Sequence, residues 1–495
     1  MHHAVLGFGL LTQLEMQKML GRRLIACGWR VTFLFFDEGK GNAARALEVI
    51  DGIAPLVCLD QFSDEGEARV NPFKTHPSPI LAWASGIYCR WSNRAEFEEH
   101  RKDHRRTIAR SFAALTRLAP SVLIYPEDGV AVNFRLLAVA KHLGIPIIDV
   151  PYGFWWRARY NIRVEDRHNA RKPEDRKRFV ATGHDLWALR ALAPQWLATP
   201  ALPGAVYFEP EFILSLEAAG VSLKDPTTLM DGYADVLCVE SDAMRRHYLN
   251  EGVRPSRMAM TGSPYCDEIV DSLGRDDQAR AAFRVPRFIV PNRPRVLITW
   301  SQDHHAERAR FSEFLTYEDM TLAFFRRLRE LQGIEVTISL SSLSPRCPPE
   351  AFAWIKECGF SVTHEDIIWL IPRHDLLVAD HSSTRRWAFA CGKPVVSYDS
   401  YGLERHVSGK GFLRSTRVEE VIAHIDRLTK SEDAYRELAV PQCAEAESWG
   451  MMDGHCTDRI VQTIERAIDR ANRSVIKHLS KAILGPGSKG RTLVW

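Results

Sequence analysis

The sequence lacks the features by which secreted, membrane-spanning and zinc-binding proteins are usually recognised. Its ten cysteines stand singly, without a CxxC pair or a zinc-ligand spacing, so we expect reduced thiols in a cytosolic protein. No run of about 18 apolar residues occurs, and no membrane span is predicted. The opening residues, MHHAVLGFGLL, carry no basic segment and no cleavage site, so no signal peptide is expected.

A strong charge of either sign is also missing. The 495-residue chain has a formal net charge of +3, which argues against a general nucleic-acid-binding protein. Hydrophobic residues make up 45% and charged residues 26% of the chain, the composition of an ordinary soluble globular protein. At roughly 150 residues per domain, this length predicts two to four domains.

Apolar runs and helical spacing alternate along most of the chain. The first 36 residues contain a strand ending in glycines, a helix that stops at Gly28, and a second apolar strand, which together predict a βαβ unit. The alternation recurs from residue 121 and resumes after residue 295. Continuously apolar strands indicate parallel sheets covered on both faces. We therefore predict an α/β fold with two Rossmann-like doubly wound domains that face a cleft.

A stretch rich in proline and arginine at 284–295 predicts the linker between the two domains. The N-terminal domain is placed at 1–288, with an irregular insertion at about 154–228 where the α/β pattern weakens. The C-terminal domain is placed at 289–454. A C-terminal helix and basic tail follow at 455–495. Ligands of open parallel sheets bind beyond the carboxyl ends of the strands, so the polar loops there are the candidate site.

Hydroxyl residues stand where a predicted helix begins, in the stretch HDLLVADHSSTRRWAFACG from residue 374. The first N–H groups of a helix have no internal partner and attract anions. Ser382, Ser383 and Thr384 therefore predict a diphosphate-binding corner, to which Arg385 or Arg386 adds charge. The alternative is ordinary N-capping by serine, and the local pattern alone favours it.

Candidate catalytic carboxylates follow an earlier strand, in the sequence YPEDG. A carboxylate at a strand end can act as a general base that deprotonates an attacking hydroxyl, and Glu127 and Asp128 are placed to act as one, with Asp128 preferred. The alternative function of Asp128, capping the next helix, is equally compatible with the pattern.

Two histidines follow the first strand of the second domain, in WSQDHHAER. Their spacing to Asp303 and Glu307 matches no zinc pattern, so no metal site is predicted. We expect His304 to act on the leaving group, and Ser301 and His305 to contact donor phosphates. Gly262 and Ser263, in a TGSP corner, are also assigned to donor binding, with a plain tight turn as the alternative.

The motifs ADHSS, GKPVVSYD and GKGF resemble the glycerophosphotransferases of teichoic-acid synthesis. The segment ADVLCVESDAMRRHYLNEGVRPSRMAMTGSPYCDEI is similar to UDP-N-acetylglucosamine 2-epimerases. Both families belong to the GT-B superfamily, and the likeness covers roughly residues 120–150 and 234–412. It implies an acceptor bound by the first domain and a nucleotide held by the second, with the serine pair at its diphosphate. His364 and Glu365 are then expected to contact the nucleobase, and Glu404 the ribose.

This resemblance implies a metal-independent GT-B glycosyltransferase without a cofactor, acting on a nucleotide-activated sugar. The implied acceptor is a surface glycan, a glycolipid or a protein, in the cytoplasm of a bacterium that builds an envelope polysaccharide, with the inner face of the membrane as an alternative location. A CDP-polyol-type glycerophosphotransferase, a sugar-nucleotide 2-epimerase or hydrolase, and a non-catalytic nucleotide-binding module remain open. The epimerase is disfavoured because Pro151 or Tyr152 stands where that family has a catalytic glutamate.

Peripheral membrane contact is indicated by two segments. The sequence FWWRARYNIR mixes aromatic residues with arginines, and the tail SVIKHLSKAIL places apolar residues on one helical side among lysines, patterns compatible with an anionic bilayer. For the first segment the alternative is a sugar acceptor. For the tail it is packing against the protein itself.

Overall fold

The computed structural model describes most of the chain. The described residues are 1–36, 42–64, 70–92, 94–129, 133–153, 164, 173–197, 202–223, 226, 230, 232–300, 302–340, 347–380, 382–403 and 409–484.

The N-terminal half contains a seven-stranded sheet in the order β3-β2-β1-β4-β5-β6-β7. Every pair of neighbouring strands is parallel. The strands are His3–Phe8 (β1), Arg30–Phe35 (β2), Leu56–Cys58 (β3), Val122–Tyr125 (β4), Ile147–Asp149 (β5), Val236–Val239 (β6) and Met258–Met260 (β7). The central strands β1, β4, β5 and β6 are buried along their whole length, as expected for a parallel sheet covered on both faces.

Helices cover this first sheet and extend it on one side. They are Leu11–Ala26 (α1), Asn42–Ile50 (α2), Pro72–Thr75 (α3), Pro79–Ser92 (α4), Ala95–Leu118 (α5), Phe134–Leu143 (α6), Pro173–Arg176 (α7), Gly183–Leu192 (α8), Pro210–Ala218 (α9), Asp242–Asn250 (α10), Pro264–Arg275 (α11) and Asp277–Ala281 (α12). The predicted irregular insertion thus contains α7, α8 and α9, and α9 packs against α4 and α5.

The C-terminal half contains a six-stranded parallel sheet in the order β10-β9-β8-β11-β12-β13. Its strands are Arg295–Thr299 (β8), Glu335–Ser339 (β9), Val362–Thr363 (β10), Leu376–Ala379 (β11), Val395–Tyr398 (β12) and Phe412–Ser415 (β13). Its helices are His305–Arg308 (α13), Tyr317–Arg329 (α14), Glu350–Glu357 (α15), Ile367–Leu370 (α16), Arg385–Ala390 (α17), Val418–Lys430 (α18), Glu432–Glu445 (α19) and Cys456–Leu484 (α20).

In both sheets the chain adds its first three strands towards one edge, then crosses back and adds the remaining strands on the other side of the first. This is the strand order of doubly wound Rossmann-like domains. This confirms the predicted fold class. The proline-rich connection between the halves has neither helix nor strand from Arg284 to Pro294, and its last predicted residue, Arg295, begins β8. It is anchored by Phe288, whose ring lies 4.4 Å from that of Tyr435 on α19.

The C-terminal helix α20 returns to the N-terminal half. Asp267 on α11 accepts hydrogen bonds from the backbone N–H groups of Cys456 and Thr457, at 2.9 and 2.7 Å. The Nε of Arg459 donates to the Thr261 carbonyl at 2.8 Å. Because a carboxylate at a helix N-terminus satisfies N–H groups that have no helical partner, α11 fixes where α20 begins.

Helix α10 is capped by Ser241 rather than by its neighbour Asp242. The Oγ of Ser241 accepts the N–H of Met244 at 3.2 Å, and Asp242 is the first helical residue. Serine and aspartate are both good N-caps, so the sequence alone does not separate two such neighbours. Within the described residues, no helix has both the length and the apolarity that crossing a bilayer requires.

Candidate functional site

The carboxyl ends of the two sheets are joined by a buried ion pair. The Nε of Arg386, on α17, lies 2.8 Å from the Oε2 of Glu240, directly after β6. The indole N–H of Trp387 donates to the other oxygen of Glu240 at 2.9 Å. A third contact runs from Arg386 to the carbonyl of Tyr152, which follows β5, at 3.2 Å. The strand ends of both domains therefore face the same cleft.

The serine corner lies between β11 and α17, on the C-terminal side of this bridge. The hydroxyls of Ser382 and Thr384 are 2.8 Å apart, and the Oγ of Ser382 accepts the N–H of Thr384 at 3.3 Å. Thr384, at the cap position of α17, makes no side-chain bond to the first amides of that helix. Ser382, Ser383 and Thr384 are all half-buried, so the corner is lined by hydroxyl groups that solvent reaches.

The two arginines that follow the corner are both buried. Arg386 holds the inter-domain bridge and also donates to the Ser383 carbonyl at 2.8 Å, so its guanidinium is engaged in positioning the corner. The contacts of Arg386 leave Arg385 as the candidate arginine for the diphosphate, and this role of Arg385 stays a prediction.

The histidine loop after β8 meets the loop after β12. The Nδ1 of His305 lies 2.8 Å from the Oη of Tyr401, and the backbone N–H of His305 donates to Asp303 at 2.8 Å. Hydrogen bonding from His305 lowers the pKa of the Asp303 carboxyl. His304 lies 3.5 Å from Glu307. Since β8, β11 and β12 are adjacent strands, this loop borders the serine corner.

A buried hydrogen bond links the strand ends beneath the corner. The Oγ of Ser400, after β12, donates to Asp380, after β11, at 2.8 Å, and both side chains are almost fully buried. The Nε of Arg308 donates to the Tyr401 carbonyl at 2.9 Å. The loops that would contact a donor are thus held by polar contacts at fixed positions.

The N-terminal carboxylates have different surroundings. The oxygens of Asp128 accept backbone N–H groups from Tyr233 and Ala234, at 2.9 and 2.7 Å, and Arg257 lies 3.4 Å away. These are contacts of a carboxylate that fastens the loop after β4 to the segments preceding β6 and β7. They do not match the expected cap of the next helix, which Asn133 provides instead. The catalytic role of Asp128 stays a prediction.

A third carboxyl, Asp149 at the end of β5, was not considered as a site residue. It is fully buried and pairs in register with Tyr125 of β4 and Leu237 of β6. Burial raises the pKa of the Asp149 carboxyl well above its usual range, and the neighbouring carboxylates of Asp128 and Glu127 raise it further. These surroundings therefore favour the protonated form of Asp149.

Replacing Asp149 with asparagine is expected to stabilise the protein, relative to the wild type, progressively more as the pH rises from about 4 towards neutral. The unfolded aspartate ionises near pH 4, whereas burial raises the pKa of the folded carboxyl, so wild-type stability falls as the pH rises from the unfolded pKa towards the folded one. Denaturant unfolding across this range measures the difference. For the exposed Asp277→Asn variant, the stability difference from the wild type should not change with pH. The same pH independence for Asp149→Asn would contradict the raised pKa of the Asp149 carboxyl.

The remaining predicted site residues lie elsewhere. His364 and Glu365 are exposed after the edge strand β10, separated from β11 by β9 and β8, and Glu365 pairs with Arg373 at 2.5 Å. Their role in base binding stays a prediction. Ser301 and Glu404 lie outside the described residues.

Gly262 and Ser263 form a turn beneath the C-terminal helix. Gly262 has a φ of +79°, and a Cβ there would lie 2.2 Å from the Sγ of Cys456. Ser263 is buried and caps α11 by accepting the N–H of Tyr265 at 3.4 Å. These contacts favour the tight-turn alternative over donor binding.

Sequence reasoning missed Glu240 and Tyr401, the two residues that connect the loops of the site. Glu240 follows a buried strand in the sequence VLCVES, so a charged residue at a strand end was a usable signal. Tyr401 gave no such signal, because an aromatic residue in a loop is usually a packing residue.

Comparisons with known proteins find similarity at the level of fold. No protein-family model matches the chain, and no curated protein matches it. Among solved structures, a putative UDP-N-acetylglucosamine 2-epimerase from Listeria monocytogenes has 12% identity over 93% of this chain and 94% of its own, with a TM-score of 0.48.

Two further similar structures are of proteins whose names give activities other than epimerisation. The calicheamicin glycosyltransferase CalG4 has 14% identity over 95% of this chain and 99% of its own, with a TM-score of 0.47. The wall teichoic acid polymerase TagF has 11% identity over 94% of this chain and 89% of its own, with a TM-score of 0.48. The two parallel, Rossmann-like sheets of this chain agree with the two-domain α/β fold that the sequence predicted.

Proposed function

We propose that the protein is a glycosyltransferase that moves a sugar from a nucleotide-activated donor to a glycan, glycolipid or protein acceptor. One observation carries the proposal. The hydroxyl corner at Ser382–Thr384 and the His305–Tyr401 pair lie on one side of the Arg386–Glu240 bridge, and buried carboxyls lie at the strand ends on the other. A transferase needs such an arrangement, with anion-binding groups facing a proton acceptor across a cleft.

In the proposed reaction, Ser382, Ser383 and Thr384 bind the donor diphosphate with their hydroxyls. Arg385 adds positive charge, and His304 and His305 contact the leaving group. These donors stabilise the negative charge that develops on the diphosphate as the sugar departs. The proposal requires no resident metal or cofactor.

For the base we favour Glu127 over Asp128. Both oxygens of Asp128 already accept backbone hydrogen bonds, so proton transfer there would disrupt the entry to β6. Glu127 is 1% exposed, so the acceptor would reach it when the two domains separate, a motion common in enzymes that close over substrate. The raised pKa of the Asp149 carboxyl, which the carboxylates of Asp128 and Glu127 raise further, disfavours an additional negative charge near this base.

A nucleotide panel tests the donor half of the proposal. We expect one of UDP, CDP, GDP, UMP or CMP to raise the melting temperature, because a ligand at 100 times its Kd stabilises the fold by about 2.7 kcal/mol. The Ser382→Ala/Ser383→Ala variant should lose most of that shift. The Ser448→Ala variant, which removes a hydroxyl bonded only to the Glu445 carbonyl at 2.8 Å, should keep it.

The panel also separates the alternatives. Stabilisation by CDP alone favours transfer of a polyol phosphate, and stabilisation by CMP alone favours a CMP-activated acidic sugar. If no nucleotide stabilises the protein, or if the double serine variant responds as the wild type does, the donor-site proposal is wrong.

A further inference from the structure

The solvent-facing side of α4 is apolar, the reverse of the usual helix pattern. Ile80, Trp83, Ile87 and Trp91 recur at helical spacing and are 75%, 67%, 41% and 71% exposed. Ala82, Ser85, Tyr88 and Cys89 on the opposite side are buried. A surface helix normally places its polar residues outward, so this stripe requires an explanation other than folding of the domain.

The stripe continues onto α8. The rings of Trp91 and His184 meet edge to face at 6.4 Å, and Trp187, one turn further along α8, is 64% exposed. Among the described residues, every tryptophan that is more than a third exposed belongs to this surface. We call it the α4–α8 face, defined by Ile80, Trp83, Ile87, Trp91, His184 and Trp187.

The exposed charged residues on the two helices of the α4–α8 face are arginines. Arg90 on α4 and Arg190 on α8 are exposed beside the apolar stripe. Helix α4 contains no acidic residue. The only acidic residue of α8, Asp185, is already engaged by Arg94 at 2.7 Å and by the Tyr88 hydroxyl at 3.0 Å. The arginines on this face therefore match a negatively charged partner.

We propose that the α4–α8 face docks on the surface of a bilayer that contains anionic lipids. Tryptophan and isoleucine partition into the boundary between headgroups and acyl chains, while arginine stays with the headgroups. A second copy of this chain fits less well, because a two-fold interface pairs a surface with itself and would bring Arg90 and Arg190 against like charges. This proposal does not depend on the transferase activity, and its residues differ from the two segments indicated by the sequence.

Sedimentation with lipid vesicles tests the proposal. The wild type should pellet with vesicles of phosphatidylcholine mixed with phosphatidylglycerol, with a blue shift of tryptophan emission. The Trp83→Ser/Trp91→Ser/Trp187→Ser variant should bind at least about tenfold more weakly than the wild type. Each substitution removes an indole and so a large apolar area from the contact. Each of Arg90→Ala and Arg190→Ala should weaken binding roughly fivefold on these vesicles, the effect of about 1 kcal/mol per arginine, and much less on phosphatidylcholine alone.

The control is Leu315→Ser, which removes an 89% exposed apolar side chain from the other domain and should bind as the wild type does. All substitutions are at exposed positions, and circular dichroism should show unchanged folding. The proposal is overturned if the wild type does not bind vesicles, or if the triple tryptophan variant binds equally well. It is also overturned if light scattering shows a dimer that the tryptophan variant dissociates, since the face would then pair two copies.

Discussion

Replacing Arg386 with alanine is expected to lower the free energy of unfolding by about 3–5 kcal/mol, the effect of breaking a buried ion pair. The side chains of Arg386 and Glu240 are only 5% and 3% exposed. Without the guanidinium, the Glu240 carboxylate remains buried and keeps only weaker contacts with the indole N–H of Trp387 and the Cys266 thiol. Because the pair joins the two domains, denaturant unfolding should also become less cooperative.

Two comparisons make this result specific. Arg326→Ala removes an ion pair to Glu357 of similar length, 3.0 Å, whose side chains are 61% and 60% exposed, and should change stability by less than about 1 kcal/mol. The double variant Arg386→Met/Glu240→Gln replaces both charges and should recover most of the loss. If Arg386→Ala is no more destabilising than Arg326→Ala, the inter-domain bridge is not formed in solution.

The second large effect is expected at Gly262. Gly262→Ala should destabilise the protein by about 2–4 kcal/mol, because it combines a left-handed backbone with an overpacked contact. The φ of +79° is unfavourable for alanine, and the new Cβ would lie 2.2 Å from the Sγ and 2.8 Å from the Cβ of Cys456. Relieving that overlap requires α20 to move away from α11. Thermal and denaturant unfolding measure the loss.

Two other glycines separate the causes. Gly28 has a similar left-handed φ, +80°, with nothing within 4 Å of an added Cβ. Gly28→Ala therefore measures the cost of the left-handed backbone alone. Gly274→Ala, near the end of α11, has neither strain nor a close neighbour and should be neutral or stabilising. If Gly262→Ala behaves as Gly28→Ala does, then the contact between α20 and the turn is looser than described.

The sequence predicted the fold because its signals are local. Strands such as Val122–Tyr125 are continuously apolar, and helices such as α1 end at a glycine, Gly28, with φ near +80°. The order of these elements sufficed to predict two parallel sheets with their loops at the carboxyl ends. The hydroxyl corner at Ser382–Thr384 was placed correctly between β11 and α17 for the same reason.

The contacts that assemble the candidate site were not predictable in this way. Glu240 and Arg386 are 146 residues apart in the chain, and Asp267 caps a helix that begins 189 residues later. No local pattern encodes such a pairing. The surroundings of Asp128 depend likewise on Tyr233 and Ala234, and no local pattern predicts that contact.

The central claim, that the Ser382–Thr384 corner and the His304–His305 loop bind a nucleotide donor, is tested most directly by hydrogen–deuterium exchange with and without saturating UDP, CDP or GDP. For the nucleotide that stabilises the protein, the account predicts slower exchange in residues 380–387 and 302–308, with little change in α18, which packs on the opposite face of the sheet from α17. Slower exchange confined to other regions, or no change with any nucleotide, would contradict it.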